Sequence, residues 1–212
     1  IELVLEHLSR SAKPDEMCTT DDECAFRSAC AWFRYACELG KLEIAKLFIS
    51  TGLDTNKKDD DGISPFHLAC EGGNIELVKL LISMDVDISE DHWRKTALHY
   101  ACTGTNIEIV ELLISMGFDV NAKDNDGKGS FHFACEGENI EIVKLLISMG
   151  LDVNEKDNYC QTAYHFACQG GNAEILKLLL SMNLDVDINA KDDDDQTALH
   201  CACERENIEI VK

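Results

Sequence analysis

Five similar octets recur through this chain of 212 residues at a nearly constant spacing. They read ISPFHLAC (63–70), KTALHYAC (95–102), KGSFHFAC (128–135), QTAYHFAC (161–168) and QTALHCAC (196–203). Their histidines are 32, 33, 33 and 35 residues apart, and a degenerate copy, AWFRYAC, precedes them. Self-similarity at a fixed short period predicts stacked supersecondary units and not one globular core. Such a stack presents extended surfaces and seldom contains an active-site cleft.

A second apolar pattern follows each octet. After 63–70 the chain continues EGGNIELVKLLIS, in which apolar residues recur at helical spacing and Glu76 and Lys79 fall on the opposite side. A hydroxyl residue near the start of most octets, followed once by Pro65, is a feature of a helix N-terminus. Polar tracts such as NKKDDDG and NAKDNDG separate the units. Each unit is therefore predicted to be a helix, a turn, a second helix and a hairpin-like loop.

These patterns, T-P-L-H-x-A, then G-x-x-E-I-V-x-L-L, then G-x-D-V-N-x-x-D, resemble the ankyrin repeat over nearly the whole chain. The resemblance implies an all-α ankyrin-repeat solenoid and a non-catalytic protein-binding function. It also implies that the motif histidine bonds to the threonine of its own motif and to neighbouring backbone. These structural histidines are His67, His99, His132, His165 and His200.

The resemblance divides the chain into seven segments. We expect a partial leading repeat with an acidic inserted loop at 1–25, a divergent repeat at 26–58, and a truncated repeat at 192–212. The full repeats between them are expected at 59–90, 91–123, 124–156 and 157–191. Because the first and last residues match second helices, we also expect the chain to be a fragment of a longer array.

Three hairpins lack the glycine that occupies Gly62 and Gly127. Arg94, Cys160 and Asp195 stand at that position instead. Residues with a side chain adopt the left-handed conformation less readily than glycine. We therefore expect those three hairpins to be looser than the others.

The chain is strongly acidic, with 40 Asp and Glu against 19 Lys and Arg and a formal net charge of −21. This charge disfavours nucleic acid and anionic membranes as partners, since both require basic residues. It is compatible with self-repulsion between arrays, or with a protein partner that has a basic surface. No apolar run approaches the length of about 18 residues typical of a membrane span, so no membrane insertion is expected.

Six of the eleven cysteines share one phase of the first helix. Free cysteine behaves as a small buried hydrophobe. Packed helices lie roughly 8–10 Å apart, whereas the Cα atoms of a disulfide lie within about 7 Å. We therefore expect these six to be reduced core residues of an intracellular, cytoplasmic protein. They are Cys37, Cys70, Cys102, Cys135, Cys168 and Cys203.

No catalytic, cofactor-binding or metal-binding constellation is predicted. The motifs G-x-x-x-x-G-K-S/T, G-x-S-x-G and H-E-x-x-H are all missing from the sequence. The five histidines are separated by about a helix diameter per repeat and cannot share a zinc ion. Cys18, Cys24 and Cys30 lie in an acidic insert, expected to be an exposed loop, which leaves a metal-binding module as one alternative function.

The resemblance places a binding surface on the concave face, formed by the hairpin tips and the exposed side of the first helices. These positions vary between copies whose core positions repeat. Trp93 and Tyr159 stand out as possible aromatic anchors, although each could instead fold onto its own hairpin. The predicted binding residues are Asp60, Asp61, Glu71, Trp93, Lys95, Thr103, Asp126, Lys128, Glu136, Tyr159, Gln161 and Gln169. A second alternative is that the array regulates, or recruits substrates for, a larger enzyme, channel or ubiquitin-ligase component.

Overall fold

The computed structural model describes residues 21–182, 187–205 and 208–211, with side chains described over these ranges except at 21–28, 209 and 211. Twelve α-helices, numbered α1 to α12, follow one another in these ranges, and no β-strand occurs among the described residues. Their bounds are Asp21–Glu38, Leu42–Ser50, Pro65–Glu71, Ile75–Ser83, Ala97–Thr103, Ile107–Ser115, Ser130–Glu136, Ile140–Ser148, Ala163–Gly170, Ala173–Ser181, Ala198–Glu204 and Ile208–Val211.

The helices form two layers. The odd-numbered helices, here called inner helices, pack mainly against the inner helices of neighbouring units, and each also packs on the outer helix that follows it. Each unit thus contributes one inner and one outer helix to a continuous core. The all-α solenoid predicted from the repeat is confirmed.

The inner helices from α3 onward begin with the same local arrangement. In α5, for example, the backbone N–H of Thr96 donates to Nδ1 of His99 at 2.9 Å, and the Thr96 hydroxyl lies 3.2 Å from the same atom. The same backbone bond is made even where Gly129 replaces the hydroxyl residue, at 3.0 Å to His132. The motif histidine therefore satisfies an amide at the helix N-terminus.

The outer helices begin at an asparagine that also joins the units. Asn106 accepts a hydrogen bond from the backbone N–H of Glu108, and its Nδ2 donates to the carbonyl of Gly73 in the preceding unit at 2.9 Å. Equivalent donations are made by Asn74 to Gly40, Asn139 to Thr105 and Asn172 to Glu138. One residue type thus caps a helix and fixes the contact between neighbours.

The apolar stripes of the central outer helices are fully buried. Ile109, Val110 and Leu113 have no exposed surface, and the equivalent residues of α4 and α8 are equally buried. Cys37, Cys70, Cys102, Cys135 and Cys168 are buried on the inner helices, as predicted. Cys203 is exposed, so that part of the cysteine prediction is wrong. In the other units the next inner helix covers this position, and no inner helix follows α11 among the described residues.

The prediction of an exposed loop before the first full unit is also wrong for the residues of that segment that the structure describes. Residues Asp21–Glu38 form the longest helix in the described part of the chain, and Cys30 is only 5% exposed. Cys30, Phe33 and Cys37 are spaced by three and four residues, which continues the buried stripe of the inner helix towards its N-terminus. Cys18 and the side chain of Cys24 lie outside the described residues.

The hairpins all have the same geometry, so the expectation of looser hairpins is wrong. Arg94, Cys160 and Asp195 have φ values of 63°, 61° and 62°, in the left-handed region occupied by Gly62 and Gly127. In each hairpin an aspartate side chain receives two backbone N–H groups. Asp91 Oδ1, for example, accepts from residues 93 and 95, both at 2.8 Å. This carboxylate holds the turn whichever residue occupies the left-handed position.

Adjacent hairpin tips are joined by backbone hydrogen bonds of 2.8–3.0 Å. The N–H group of one tip donates to a carbonyl of the preceding tip. The pairs are His92 to Asp61, Asn125 to Trp93, Asn158 to Asp126 and Asp193 to Tyr159. The tips therefore form one connected row along the edge of the stack.

Candidate functional site

A groove with a volume of about 480 Å³ crosses the C-terminal ends of the inner helices. The last residues of three consecutive inner helices, Glu71, Thr103 and Glu136, contribute to its lining. Five of the residues predicted to bind a partner line this groove together: Glu71, Lys95, Thr103, Glu136 and Gln169. Consecutive units therefore contribute their variable residues to one continuous surface.

Aromatic rings form part of the groove lining. The ring of Tyr100 packs on His67 of the preceding unit at a centroid distance of 5.0 Å, and Phe133 packs on His99 at 5.1 Å. The ammonium of Lys95 lies 5.1 Å from the centre of the Phe133 ring, a cation–π distance. The groove thus combines apolar ring surface with charged groups at its margins.

The carboxylate of Glu71 is electrostatically unsatisfied. Burial raises its pKa above the usual value, and the nearby carboxylate of Glu38 raises it further. Lys95 acts in the opposite direction and offsets only part of this effect. A cation brought to this end of the groove would therefore stabilise the ionised form of Glu71.

The remaining predicted residues do not line the groove. Trp93 and Tyr159 lie at hairpin tips, where they are 54% and 51% exposed. Asp60 and Asp61 are exposed at an earlier tip. The Tyr159 hydroxyl donates to Asp126 Oδ1 at 3.4 Å, so this ring is fixed to the neighbouring tip and not to its own hairpin.

A second concavity, here called the hollow, lies where α9 packs against α11. It has a volume of about 380 Å³, and its lining includes Lys128, Gln161, Asp194, Cys201 and Glu204. It shares Gln169 and Arg205 with the groove. Lys128 and Gln161, both predicted to bind a partner, therefore belong to the hollow and not to the groove.

All five motif histidines accept a backbone N–H of their own motif at Nδ1, and all except His132, which follows Gly129, also lie beside the motif hydroxyl. His99 and His132 accept a backbone N–H at Nδ1, and their Nε2 atoms lie 3.0 and 3.1 Å from the carbonyls of Ala122 and Glu155, in the loop that leads to the next unit. Nε2 of His67 is buried without a hydrogen-bond partner in the described part of the chain, and burial lowers its pKa to about 4. His200 is exposed yet keeps its bond to Thr197.

Within residues 21–182, 187–205 and 208–211, no group of three or more His, Cys, Asp or Glu side chains could hold a metal ion. In the same ranges, no helix combines the length and the apolar character needed to cross a membrane.

Sequence reasoning missed two features of this surface. The hollow arises from the replacement of an aromatic residue by Cys201, which is visible in the octet QTALHCAC once the packing role of that position is known. Arg205 follows the last residue of α11 and replaces the glycine that stands, in the other copies, at Gly72, Gly104, Gly137 and Gly170. This substitution was overlooked in the sequence, and with it the cation that borders both concavities.

The comparison with known proteins agrees with this architecture. A model described as ankyrin repeats (3 copies) matches residues 33–124 and 131–212. A search of curated proteins gave no significant match. Ankyrin repeats are generally protein–protein interaction modules and are typically non-catalytic. With repeated helix pairs, shared hairpins and a family match over most of its length, the chain belongs to the ankyrin repeat family.

Proposed function

We propose that this chain is a non-catalytic scaffold that binds a basic segment of a protein partner along the groove. The observation that carries the proposal is the composition of the groove. Its margin residues differ from unit to unit, as in Glu71, Thr103 and Gln169, while the helices beneath them repeat almost unchanged. Residues that packing does not require are free to be selected for a ligand.

The charge of the groove favours a basic partner. Glu71 and Glu136 lie on either side of Thr103, and Glu71 is only partly compensated by Lys95. Lys95 is itself placed over the Phe133 ring. A partner with lysine or arginine side chains would relieve this imbalance, and the net charge of −21 would accelerate its association at low salt.

The exposed aromatic residues at the tips extend the binding surface. Trp93 and Tyr159 each expose about half of their surface beside the groove-forming units. Large amphipathic rings of this kind are frequent hot spots, because they bury much area at a small entropic cost. We expect the partner to contact both the groove and these two tips.

The test uses a partner isolated by affinity capture and then produced in pure form. Glu71→Lys and Glu136→Lys should slow its association and reduce the salt dependence of the rate. Trp93→Ala and Tyr159→Ala should each weaken binding by about 2 kcal/mol if they are hot spots.

Glu108→Ala and Lys144→Ala, on exposed positions of outer helices, are the matched controls and should leave affinity unchanged. If these two controls abolish binding while the four groove and tip variants have no effect, the partner binds the opposite face and the proposal is wrong.

A further inference from the structure

The junctions between neighbouring inner helices differ in one pair of side chains. The first member precedes the motif hydroxyl residue of one unit, and the second follows the motif histidine of the next unit. From the first to the last junction these pairs are Ile63 with Tyr100, Lys95 with Phe133, Lys128 with Phe166, and Gln161 with Cys201. The last pair has lost both the cation and the aromatic ring.

The middle two junctions show what ordinarily occupies this place. The Lys95 ammonium lies 5.1 Å from the centre of the Phe133 ring, and the Lys128 ammonium lies 5.5 Å from that of Phe166. In the last junction Gln161 turns instead to Asp192, donating from Nε2 to Oδ2 at 3.2 Å. The space that a ring and an ammonium fill elsewhere is the hollow of about 380 Å³.

Some of the hydrogen-bonding groups that line the hollow are weakly engaged. The Cys201 thiol is buried beside it, and its contacts with Gln169 Nε2 and Gln196 Oε1 are long, at 3.9 and 4.0 Å. Glu204 accepts one hydrogen bond, from Gln196 Nε2 to its Oε1 at 3.0 Å. Asp194 adds a further carboxylate.

We propose that the hollow binds the guanidinium group of an arginine side chain supplied by the protein partner. This inference rests on the proposed function and names the anchor residue of the bound segment. A guanidinium carries five N–H donors in a planar fork, which suits amide oxygens and carboxylates arranged around one space. It also returns a cation to the position that Lys95 and Lys128 occupy in the preceding junctions.

The cations already present at the hollow do not replace the ligand. Lys128 is held over Phe166 and lies 3.5 Å from Asp126 Oδ2. Arg205 borders both the hollow and the groove, where its charge opposes an incoming arginine. Three carboxylates, those of Asp192, Asp194 and Glu204, line the hollow against these two cations.

The hollow adjoins the groove. Gln169 and Arg205 line both concavities, so a chain that lies along the groove passes the mouth of the hollow. An arginine at the corresponding position of that chain can enter the hollow while its neighbours remain in the groove.

The first experiment needs no partner. N-acetyl-arginine amide is titrated into ¹⁵N-labelled protein, with N-acetyl-citrulline amide as a neutral ligand of nearly the same shape. The arginine compound should shift the amide signals of Gln169, Cys201 and Glu204 in a saturable manner. The affinity of the citrulline compound should be lower by about tenfold or more. Equal responses to the two compounds, or shifts confined to Glu71 and Thr103, would overturn the inference.

Two variants test the hollow itself. Cys201→Phe restores the ring found at positions 133 and 166, and should abolish the response while leaving the rest of the spectrum intact. Glu204→Gln keeps the shape of the side chain and should weaken binding about tenfold through loss of its charge. Arg205→Ala should strengthen binding. If binding is unchanged in both Cys201→Phe and Glu204→Gln, the hollow is not the site.

The captured partner separates this inference from the proposed function. Cys201→Phe should lower the affinity for the partner about tenfold, and substitution of one partner arginine by alanine should cancel that difference. If groove variants weaken binding but Cys201→Phe does not, the arginine anchor is wrong and the scaffold proposal stands. If neither the groove nor the tip variants affect the partner while N-acetyl-arginine amide still binds the hollow, the scaffold proposal fails.

Discussion

The middle of the stack and its two ends use the same motif histidine in different ways. In the middle, units 33 residues apart let His99 and His132 reach the carbonyls of Ala122 and Glu155 at 3.0 and 3.1 Å. The first step is 32 residues, and Nε2 of His67 finds no partner among the described residues. The last step is 35 residues, and His165 lies 3.2 Å from the carbonyl of Gln196 instead.

This difference separates a local interaction from one that depends on loop length. The bond at Nδ1 is made within one unit and is present in all five copies. The contact at Nε2 reaches across the loop that leads to the next unit, so adding or removing loop residues changes its partner or removes it. The hydrogen bond at Nδ1 is kept despite these changes in loop length. Only the Nε2 contact is altered or lost, and this happens towards the ends of the stack.

The largest expected contrast is in cysteine reactivity. Cys102 lies in the middle of the stack, where burial raises its pKa from 9.0 to about 12 and lowers the thiolate fraction about a thousandfold. Cys203 is exposed on the last inner helix. A maleimide pulse followed by mass spectrometry should therefore label Cys203 much faster than Cys102. Similar labelling rates in the native protein would contradict the difference in burial, and denatured protein provides the control.

Truncation of the core should be most damaging in the middle. Leu113→Ala should reduce the free energy of unfolding by about 2–5 kcal/mol, because the side chain is fully buried between two neighbouring units. Leu180→Ala, on the last full outer helix, removes a side chain that is 45% exposed and should cost under about 0.5 kcal/mol. Urea unfolding measures both, and equal losses would show that burial does not separate these two positions.

The titration of His67 should distinguish the first unit from the middle. Its folded pKa of about 4 is below the usual value of about 6.5, so the folded state favours the neutral ring. The resulting stability is present above pH 6.5 and is lost at about 1.4 kcal/mol per unit as pH falls towards 4.

Nuclear magnetic resonance titration should show His67 neutral down to about pH 4. His67→Gln should reduce the fall in urea midpoint between pH 6.5 and 5. A midpoint near 6.5 for His67 would contradict its burial without an acceptor.

A smaller effect is expected from one hydroxyl group. The Tyr100 hydroxyl donates to Asp91 Oδ2 at 2.8 Å, whereas the equivalent residue beside Asp157 is Phe166, and Asp157 Oδ2 is buried without a partner among the described residues. Tyr100→Phe should therefore destabilise the protein by about 1–3 kcal/mol, and Phe166→Tyr should stabilise it by about 1 kcal/mol. Thermal unfolding should show a lower Tm for Tyr100→Phe and a higher Tm for Phe166→Tyr. If Phe166→Tyr is destabilising, the new hydroxyl does not reach Asp157.

The repeat period and the apolar spacing within each copy were sufficient to predict the helix pairs and the buried stripes, whereas the role of the histidines came from the resemblance to ankyrin repeats. Local pattern could not reveal Asn106 as a link between units, because its helix-capping role is indistinguishable in sequence from that of an isolated helix. The segment containing Cys30 was wrongly predicted to be an exposed loop because it is acidic. The short apolar stripe that buries Cys30 in a helix was not recognised. The exposure of Cys203 depends on what packs over it, which residue spacing does not specify.

The proposed binding surface was predicted as a set of residues but not as separate regions. Position within the repeat correctly placed Glu71, Thr103 and Glu136 beside one another. It could not separate the groove from the tips or from the hollow. That division depends on which residue follows each histidine, and therefore on whether a ring such as Phe133 or a small side chain such as Cys201 covers the junction.

The junctions between units have a mechanical consequence. Neighbouring units are joined by a tip bond such as that from Asn125 to Trp93, by an asparagine link such as that from Asn106 to Gly73, and by packing between inner helices. Tension applied to the two ends of the stack is therefore borne by a series of similar junctions, and rupture of one leaves the others intact. Under an optical trap the molecule should therefore lengthen in steps of about one unit each, and it should shorten by similar steps as units re-form when the force is lowered.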